Sequence, residues 1–245
     1  MVAELPNQQA FAQQQNHLLA SMTQNEWNQI KPYLEQVDFS LNQVLCESGE
    51  VPVYMYFPTT AIVSLLYMTE SGDSSEVAVV GNDGVVGMSL FFSGSDSPNL
   101  ALVQTAGKGF RMRAQAAKYA ISRSNTMLNI LLHYSQAMIT QITQTAVCNR
   151  HHTIDQQLCR RLLLSLDRLP TNQIATTQEM LANMLGVRRE SVTQAAMNLQ
   201  NAGIISYKRG LITVLDREAL ESRSCECYAI TKSEQLRLEN MPLHA

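Results

Sequence analysis

The side chains with the most specific chemistry lie on the outer face of a predicted helix that runs from about Arg189 to Leu199. Arg189, Glu190 and Gln194 offer hydrogen-bond donors and acceptors that match the exposed edges of DNA bases. The polar groups gather towards the N-terminus of this helix, which is the end that meets base edges when such a helix enters the major groove. These residue types at this spacing predict a surface that binds and reads double-stranded DNA.

A preceding helix and a tight turn would hold that surface in place. Thr176 and Glu179 have the spacing of a capping box at the start of this first helix, and apolar residues then recur at helical spacing. Gly186 stands where a helix commonly ends in a left-handed residue. The segment 176–199 is therefore predicted to form a helix-turn-helix.

Two short strands and a basic turn follow the second helix. Residues 204–207 and 211–214 have the composition of β-strands, and the basic turn 208–210 joins them. Cations at the tip of such a hairpin would meet phosphates, which position a protein without reading sequence. A helical hairpin with a solvated charged face is the alternative, but the cap, glycine, polar face and basic hairpin together favour a winged helix. The predicted DNA-contacting residues are Arg188, Arg189, Glu190, Ser191, Thr193, Gln194, Lys208 and Arg209.

A long helical segment without proline or glycine extends from about residue 124 to residue 150. Its apolar face is wider than one packing partner requires, which predicts contact with its own domain on one side and with a second copy of the chain on the other. The expected dimer contacts are Leu128, Leu131, Met138 and Ile142. A core helix in a monomer is the alternative, although a two-fold dimer would read two half-sites rather than one.

The N-terminal half is rich in short runs of strand-forming residues separated by turn clusters. Residues 53–57, 61–67, 76–80 and 100–105 are such runs, which predict a compact antiparallel roll or barrel. The predicted fold class is thus α+β, with an N-terminal antiparallel β-roll, a long dimerisation helix and a C-terminal winged helix-turn-helix. The expected segments are a loose tail over 1–16, the roll over 17–123, the long helix over 124–150, the winged helix over 151–223 and an extension over 224–245.

Composition agrees with a two-domain cytoplasmic protein, because 245 residues with 45% hydrophobic content suffice for two cores. No signal peptide or membrane-length apolar run is evident, so no membrane partner is expected. Five dispersed cysteines indicate reduced thiols rather than a disulfide framework. The net charge is −3, yet residues 150–223 carry ten Lys and Arg against seven Asp and Glu. This local positive excess coincides with the predicted winged helix, as DNA binding requires.

The order of roll, long helix and winged helix resembles the Crp/Fnr superfamily of bacterial transcription regulators. The segment Gly186-Val-Arg-Arg-Glu-Ser-Val192 matches the family's glycine turn followed by Arg-Glu-(Ser/Thr)-Val. The resemblance implies that Arg189 donates to a guanine and that Glu190 accepts from a cytosine amino group. Gln194 stands where many members have an arginine, so the preferred half-site is expected to differ. The implied partners are a pseudo-palindromic DNA operator, a second copy of the chain and RNA polymerase.

The predicted effector pocket departs from the members that bind cyclic AMP. Those members carry Gly-Glu-Leu, whose Glu binds the ribose, and then Arg-Ser-Ala, whose Arg pairs with the cyclic phosphate. This chain has Gly87, Met88 and Ser89 at the first motif and Pro98 and Asn99 near the second. A buried phosphate without a partner costs several kcal/mol. The pocket is therefore predicted to be degenerate, and the signal to be something other than cyclic AMP bound in the usual pocket.

Other chemistries leave weaker patterns. Cys225 and Cys227 suggest a metal- or redox-responsive regulator, with His244 and the pair His151-His152 elsewhere in the chain. Two thiols are too few for a structural zinc, so neither a metal site nor a cofactor is predicted. The first cysteine, Cys46, stands alone, which argues against an N-terminal iron–sulfur cluster.

Two further alternatives concern the long helix and the class of protein. His133 lies on that helix, where a satisfied core or interface histidine is favoured over a haem ligand. A DNA-binding architectural protein without a ligand stays open as an alternative. No catalytic residues are predicted, since the sequence carries no Walker loop or other enzyme motif.

Overall fold

The computed structural model describes residues 15–92 and 96–239 as a β-roll, a long helix and a winged helix-turn-helix, which confirms the predicted fold class. A short 3-10 turn, Lys31–Tyr33, leads into the first strand. In chain order the elements are α1 (His17–Ala20), α2 (Gln24–Ile30), β1 (Leu34–Phe39), β2 (Val44–Cys46), β3 (Tyr54–Pro58), β4 (Ile62–Met68), β5 (Ser74–Val80), α3 (Ser89–Phe92), β6 (Leu100–Thr105), β7 (Gly107–Arg113), α4 (Ala114–Ser122), α5 (Asn125–His151), α6 (Ile154–Leu166), β8 (Gln173–Ala175), α7 (Gln178–Leu185), α8 (Arg189–Asn201), β9 (Ile205–Lys208), β10 (Leu211–Val214), α9 (Arg217–Arg223) and α10 (Glu226–Glu239). Within the described part of the chain, no helix combines the length and hydropathy needed to span a bilayer.

Two antiparallel sheets build the roll. One has the strand order β1-β7-β3 and the other the order β2-β6-β4-β5. Along β3 the side chains of Met55 and Phe57 are buried and alternate with the half-buried Tyr54 and Tyr56, as the two-residue period of a strand requires. The four strand runs predicted from the sequence correspond to β3, β4, β5 and β6 within two residues at each end.

The N-terminal boundary of the roll lies earlier than predicted. Asn16, which the prediction placed in the loose tail, is fully buried and caps α1. Its side-chain amide donates to the carbonyls of Pro58 and Gly84 at 2.8 and 2.9 Å. A polar side chain satisfied in this way ties the start of the described chain to two loops of the roll.

Helix α5 lies against the roll with one face and leaves the other exposed. Ser124 caps its N-terminus by accepting from the Met127 amide, and Arg150 and His151 in the last turn complement the helix dipole. Met127, Ile130, Leu131 and Tyr134 are buried in the same apolar cluster as Met55 and Phe57 of the roll. Leu131 is therefore a core residue of its own domain, and the prediction that it faces a second copy is wrong in this respect.

The winged helix packs α6, α7 and α8 against a three-stranded sheet of order β8-β10-β9. Thr153 and Gln156 form a capping box at the start of α6, which ends at Leu166. Ile62 and Val79 of the roll belong to the same buried cluster as the winged-helix core. The two domains thus share apolar packing as well as the long helix.

The C-terminal extension is a helix that returns to the roll. Helix α10 packs along α5, and Leu238 near its end contacts the apolar core of the roll. The amide of Gln235 donates to the Asp83 carboxylate of the roll. The segment predicted as an extension beyond the DNA-binding domain therefore connects the end of α5 with the N-terminal domain.

Candidate functional site

The outer face of helix α8 is open to solvent. Arg188, Arg189, Glu190, Gln194 and Met197 are exposed, and the opposite face of the helix is buried in the domain core. The buried inner residues are Val192, Ala195, Ala196 and Leu199, as the helical period predicts. Arg188 precedes the helix with extended backbone, and its side chain makes no capping hydrogen bond. The first turn of α8 therefore presents its charged side chains to a ligand rather than to the protein.

Two of the predicted contact residues are less accessible. Ser191 and Thr193 are half-buried. The Thr193 hydroxyl lies 2.9 Å from Gln178 Oε1 on α7 and 3.0 Å from the Arg189 carbonyl, so its single donor hydrogen is used inside the protein. Thr193 accordingly fixes the angle between the two helices.

Helix α7 begins one residue later than the predicted capping box. Thr177 is the N-cap and accepts from the Met180 amide at 3.1 Å. Thr176 is instead tied to the wing, because its amide donates to the Gly210 carbonyl at 2.8 Å and its carbonyl accepts from the Tyr207 hydroxyl at 3.2 Å. The Thr176 hydroxyl is buried without a hydrogen-bond partner. The helix ends as predicted, at Gly186 in the left-handed region with φ of 63°.

The wing is a tight hairpin with a basic tip. Arg209 and Gly210 form its two-residue turn, and both have positive φ, 51° and 78°, as the hairpin turns that suit twisted strands require. Lys208 and Arg209 are exposed. Arg209 and Arg189 line one surface groove together with Thr177, Gln178, Glu179 and Tyr207. Two guanidinium groups against one carboxylate, beside the N-terminus of α7, give this groove a net positive charge that attracts a phosphate.

A cavity of about 190 Å³ lies between the roll and helix α5. The five residues of the predicted effector pocket, Gly87, Met88, Ser89, Pro98 and Asn99, all line it. Met138, Ile139 and Ile142 contribute the helical wall. None of the lining residues among those described is charged, and most of them are apolar. The structure therefore brings the predicted pocket residues together without supplying a cation for a phosphate.

Cyclic AMP and cyclic GMP are expected not to bind this cavity. A buried cyclic phosphate would have no guanidinium partner there, and its desolvation would outweigh the contacts of the base and sugar. Isothermal calorimetry with each nucleotide at millimolar concentration should show no heat of binding. A micromolar dissociation constant that Met88→Glu leaves unchanged would show that another part of the chain recognises the nucleotide.

Two buried ion pairs join α6 and the turn that follows it to the roll, and the sequence pattern had not indicated either of them. Arg161 Nη2 donates to Glu76 Oε2 at 2.8 Å, and Arg168 donates from Nε and Nη2 to Asp83 at 2.9 and 2.6 Å. All four side chains are buried. Burial lowers the pKa of Arg161, and the charge of Glu76 acts in the opposite direction. These pairs fix the orientation of the winged helix relative to the roll.

The solvent side of helix α5 carries an apolar stripe. Its members are Leu128, Leu132, Ile139, Ile142 and Val147, each at least 39% exposed. Met138 is half-buried and packs against two clusters of the roll core. His133 is exposed, so it is not a core histidine, and the alternative that it lies at an interface stays a prediction. Of the predicted dimer contacts, Leu128 and Ile142 lie on the exposed stripe.

Four sulfur and nitrogen ligands meet where α5, α6 and α10 converge. Cys148, His152, Cys225 and Cys227 place their ligand atoms within 4.8 Å of one another. All five cysteines are free thiols, as the dispersed spacing predicted. A hydrogen bond from Cys148 lowers the pKa of the Cys225 thiol below its ordinary value. The sequence analysis had named Cys225, Cys227 and the pair His151-His152 but not Cys148, and His244 lies outside the described residues.

Comparisons with known proteins agree with this architecture. Residues 156–223 match the family model of the Crp-like helix-turn-helix domain. No curated protein matches the chain. A putative Crp/Fnr-family regulator from Eubacterium rectale is 16% identical over 86% of this chain and 98% of its own, with a TM-score of 0.64. FixK2 from Bradyrhizobium japonicum is 15% identical over 78% and 98%, with a TM-score of 0.65. A CRP/FNR-family regulator from Thermus thermophilus is 20% identical over the same shares, with a TM-score of 0.63.

A roll joined by a long helix to a winged helix is the architecture that this chain shares with these solved structures. Residues 156–223 are a Crp-like helix-turn-helix domain, and the chain as a whole has the fold of the Crp/Fnr transcription regulators. The resemblance predicted from Gly186 to Val192 is thereby confirmed.

Proposed function

We propose that this protein is a sequence-specific DNA-binding transcription regulator, and not an enzyme, that works in the cytoplasm as a homodimer. One observation carries the proposal: the exposed, charged first turn of α8 lies beside the basic tip of the wing. The same side of the domain thus offers groups that read bases and groups that hold phosphates. The positive excess of residues 150–223 supports this role.

Within this surface the roles divide by geometry. Arg189 and Glu190, on the first turn of α8, read base edges, with the guanidinium donating to a guanine and the carboxylate accepting from a cytosine amino group. Lys208 and Arg209 at the wing hold phosphates, together with the N-terminus of α7 at Thr177. Gln194 is exposed farther along the helix. Its amide reads a different base from the one that an arginine at this position reads in many relatives.

The second copy of the chain packs on the exposed stripe of α5. Burying such aliphatic side chains against their own copies in a two-fold arrangement removes apolar surface from water. Two recognition helices then face two half-sites about one helical turn apart, so the operator is pseudo-palindromic. RNA polymerase as a further partner stays a prediction.

The signal read by the roll is not a cyclic nucleotide bound in the usual way. A regulator from Xanthomonas campestris with this fold is described as responsive to c-di-GMP, and it is 14% identical to this chain. The cavity here offers no cation to a phosphodiester among its described residues. Its apolar walls suit an uncharged small molecule.

A selection from random DNA tests the proposed function. It should return a symmetric motif, and Arg189→Ala should relax the preference at one position of each half-site at a cost of about 1–3 kcal/mol. Replacing Lys208 and Arg209 together by Ala should weaken binding nearly equally on all sequences and reduce the salt slope by about one to two.

Lys118→Ala with Arg123→Ala is the matched control, because it removes two exposed charges from the roll domain. This variant should keep both the motif and the salt slope. If the selection returned no symmetric motif, or if Arg189→Ala left it unchanged, an architectural protein that binds DNA without reading it would replace the regulator.

A further inference from the structure

Four metal-ligating side chains from two distant segments converge at the junction of the domains. Cys148 lies in the last turn of α5, and His152 is the C-cap residue that follows this helix. Cys225 immediately precedes α10 and Cys227 lies in its first turn. Cys148 and Cys225 are 77 residues apart in the chain. The three cysteines are buried and the histidine is half-buried, so solvent reaches the group only on the side of the histidine.

The spacing of the ligand atoms fits one small ion. The sulfurs of Cys148 and Cys225 are 3.5 Å apart, and Cys227 Sγ lies 3.6 Å from His152 Nδ1. In a tetrahedral zinc site, bonds of about 2.3 Å to sulfur and 2.0 Å to nitrogen place such pairs roughly 3.8 and 3.6 Å apart. An iron–sulfur cluster distributes its cysteines over several iron atoms and holds them farther apart. The compact arrangement therefore favours a mononuclear centre.

A carboxylate orients the histidine in the manner of a metal ligand. Nε2 of His152 lies 3.3 Å from Glu226 Oε1, which places this nitrogen to donate to the carboxylate, while Nδ1 faces Cys227 Sγ. Histidines bound to a metal almost always donate their second ring N–H to a carboxylate, carbonyl or water. Glu226 stands between Cys225 and Cys227 in the sequence. One short segment therefore supplies two of the ligands and the carboxylate that orients His152.

The surrounding backbone is also held in place. The amide of Gln157 donates to the carbonyls of Cys148 and His152 at 3.3 and 2.9 Å. The hydroxyl of Thr231 donates to the Cys227 carbonyl at 2.8 Å. These bonds fix the main chain next to three of the four ligands, which limits the reorganisation that metal binding would require.

A buried cation balances the charge of such a centre. Three thiolates and a neutral imidazole around a divalent ion leave a net charge of −1. The Arg160 guanidinium is buried nearby, and its positive charge acts on Cys148 and Cys227. Its Nη2 donates to the Thr145 hydroxyl at 2.9 Å, whereas its Nε has no hydrogen-bond partner.

We propose that Cys148, His152, Cys225 and Cys227 bind one Zn²⁺ ion in a closed tetrahedral site. Each of the three thiols releases its proton to solvent when its sulfur binds the ion, and the imidazole binds through its free Nδ1. With four protein ligands the ion has no open position, so its role is structural. The ion joins the end of α5 to the start of α10, which in turn contacts the roll through Gln235. This proposal stands apart from the proposed DNA-binding function.

Metal content is the direct test. Protein purified without chelator under anaerobic, reducing conditions should contain about one zinc per chain by native mass spectrometry and elemental analysis. Exchange of the zinc for Co²⁺ should give a thiolate-to-cobalt charge-transfer band and the intense visible bands of tetrahedral cobalt. Cys225→Ser with Cys227→Ser should lose both signals. The control Cys46→Ser removes a buried thiol of the roll and should keep them.

A second variant separates loss of the metal site from loss of the fold. Glu226→Gln leaves all four ligands intact. The Glu226 side chain is 70% exposed, so this variant should fold normally. It should weaken zinc binding by about 10–100-fold in competition with a chromophoric chelator. An unchanged zinc affinity in this variant would overturn the proposed orientation of His152. Three results would overturn the site itself: zinc retained by the double serine variant, several irons with sulfide, or a Cys148–Cys225 disulfide without metal.

Discussion

Replacing Ile139 by glutamate is expected to convert the proposed dimer into a monomer and to weaken binding to a palindromic operator by about 100-fold or more. Ile139 is 57% exposed on the apolar stripe of α5 and also contributes to the wall of the roll cavity. Two carboxylates facing each other across a two-fold axis would be desolvated without partners. Light scattering at micromolar concentration measures the oligomeric state, and a gel-shift titration measures the affinity.

The matched control is Leu41→Glu, which places the same charge on an exposed leucine in the turn between β1 and β2. This variant should stay dimeric and bind the operator as the wild type does. Affinity for a single half-site should be similar in Ile139→Glu and wild type, because the recognition helix itself is unchanged. A wild-type protein that is monomeric under these conditions would contradict the proposed dimer.

Replacing Glu76 by alanine is expected to lower the free energy of unfolding by about 3–5 kcal/mol. The Glu76 carboxylate is buried between the domains, where it accepts from Arg161 at 2.8 Å and from Ser64 at 2.5 Å. Its removal leaves the Arg161 guanidinium buried without a counter-charge, and desolvation of that charge is the main cost. Urea denaturation followed by circular dichroism measures the loss.

Glu35→Ala provides the comparison on the surface. Glu35 pairs with Arg111 at 2.8 Å, and both side chains are at least 36% exposed. Solvent screens that pair, so its loss should cost about 1 kcal/mol or less. If Glu76→Ala were no more destabilising than Glu35→Ala, the buried pair would not contribute to the stability of the domain arrangement.

Local sequence patterns were sufficient to predict the winged helix. Gly186 ends α7 because only a residue without a Cβ adopts φ of 63° at little cost, and the sequence shows that glycine directly. The inner and outer faces of α8 follow from the 3.6-residue period alone. The basic turn between β9 and β10 follows from Arg209-Gly210 between two strand-forming runs. Each of these features depends on residues within a few positions of one another.

Two sequence predictions were wrong because a segment distant in the sequence contacts the residue concerned. Thr176 has the right spacing for a capping box with Glu179, but the wing captures its amide and carbonyl, so Thr177 caps the helix instead. Leu131 has the spacing of a dimer contact, yet it packs under the roll. The period of a helix shows that it has an apolar face, whereas the identity of the partner on each part of that face depends on tertiary packing.

By itself the sequence determined the kinds of domain, their order and the surface proposed to read DNA, because caps, periods and turn residues act locally. Tertiary structure alone decided which remote side chains meet. The sequence indicated Cys225, Cys227 and the pair His151-His152 as separate candidates, and the return of α10 along α5 brought His152 to the two cysteines and added Cys148. Arg161 and Arg168 found their carboxylates in the roll, 85 residues away in each case. Such encounters depend on how whole elements pack, and no pattern within a short window of sequence records that packing.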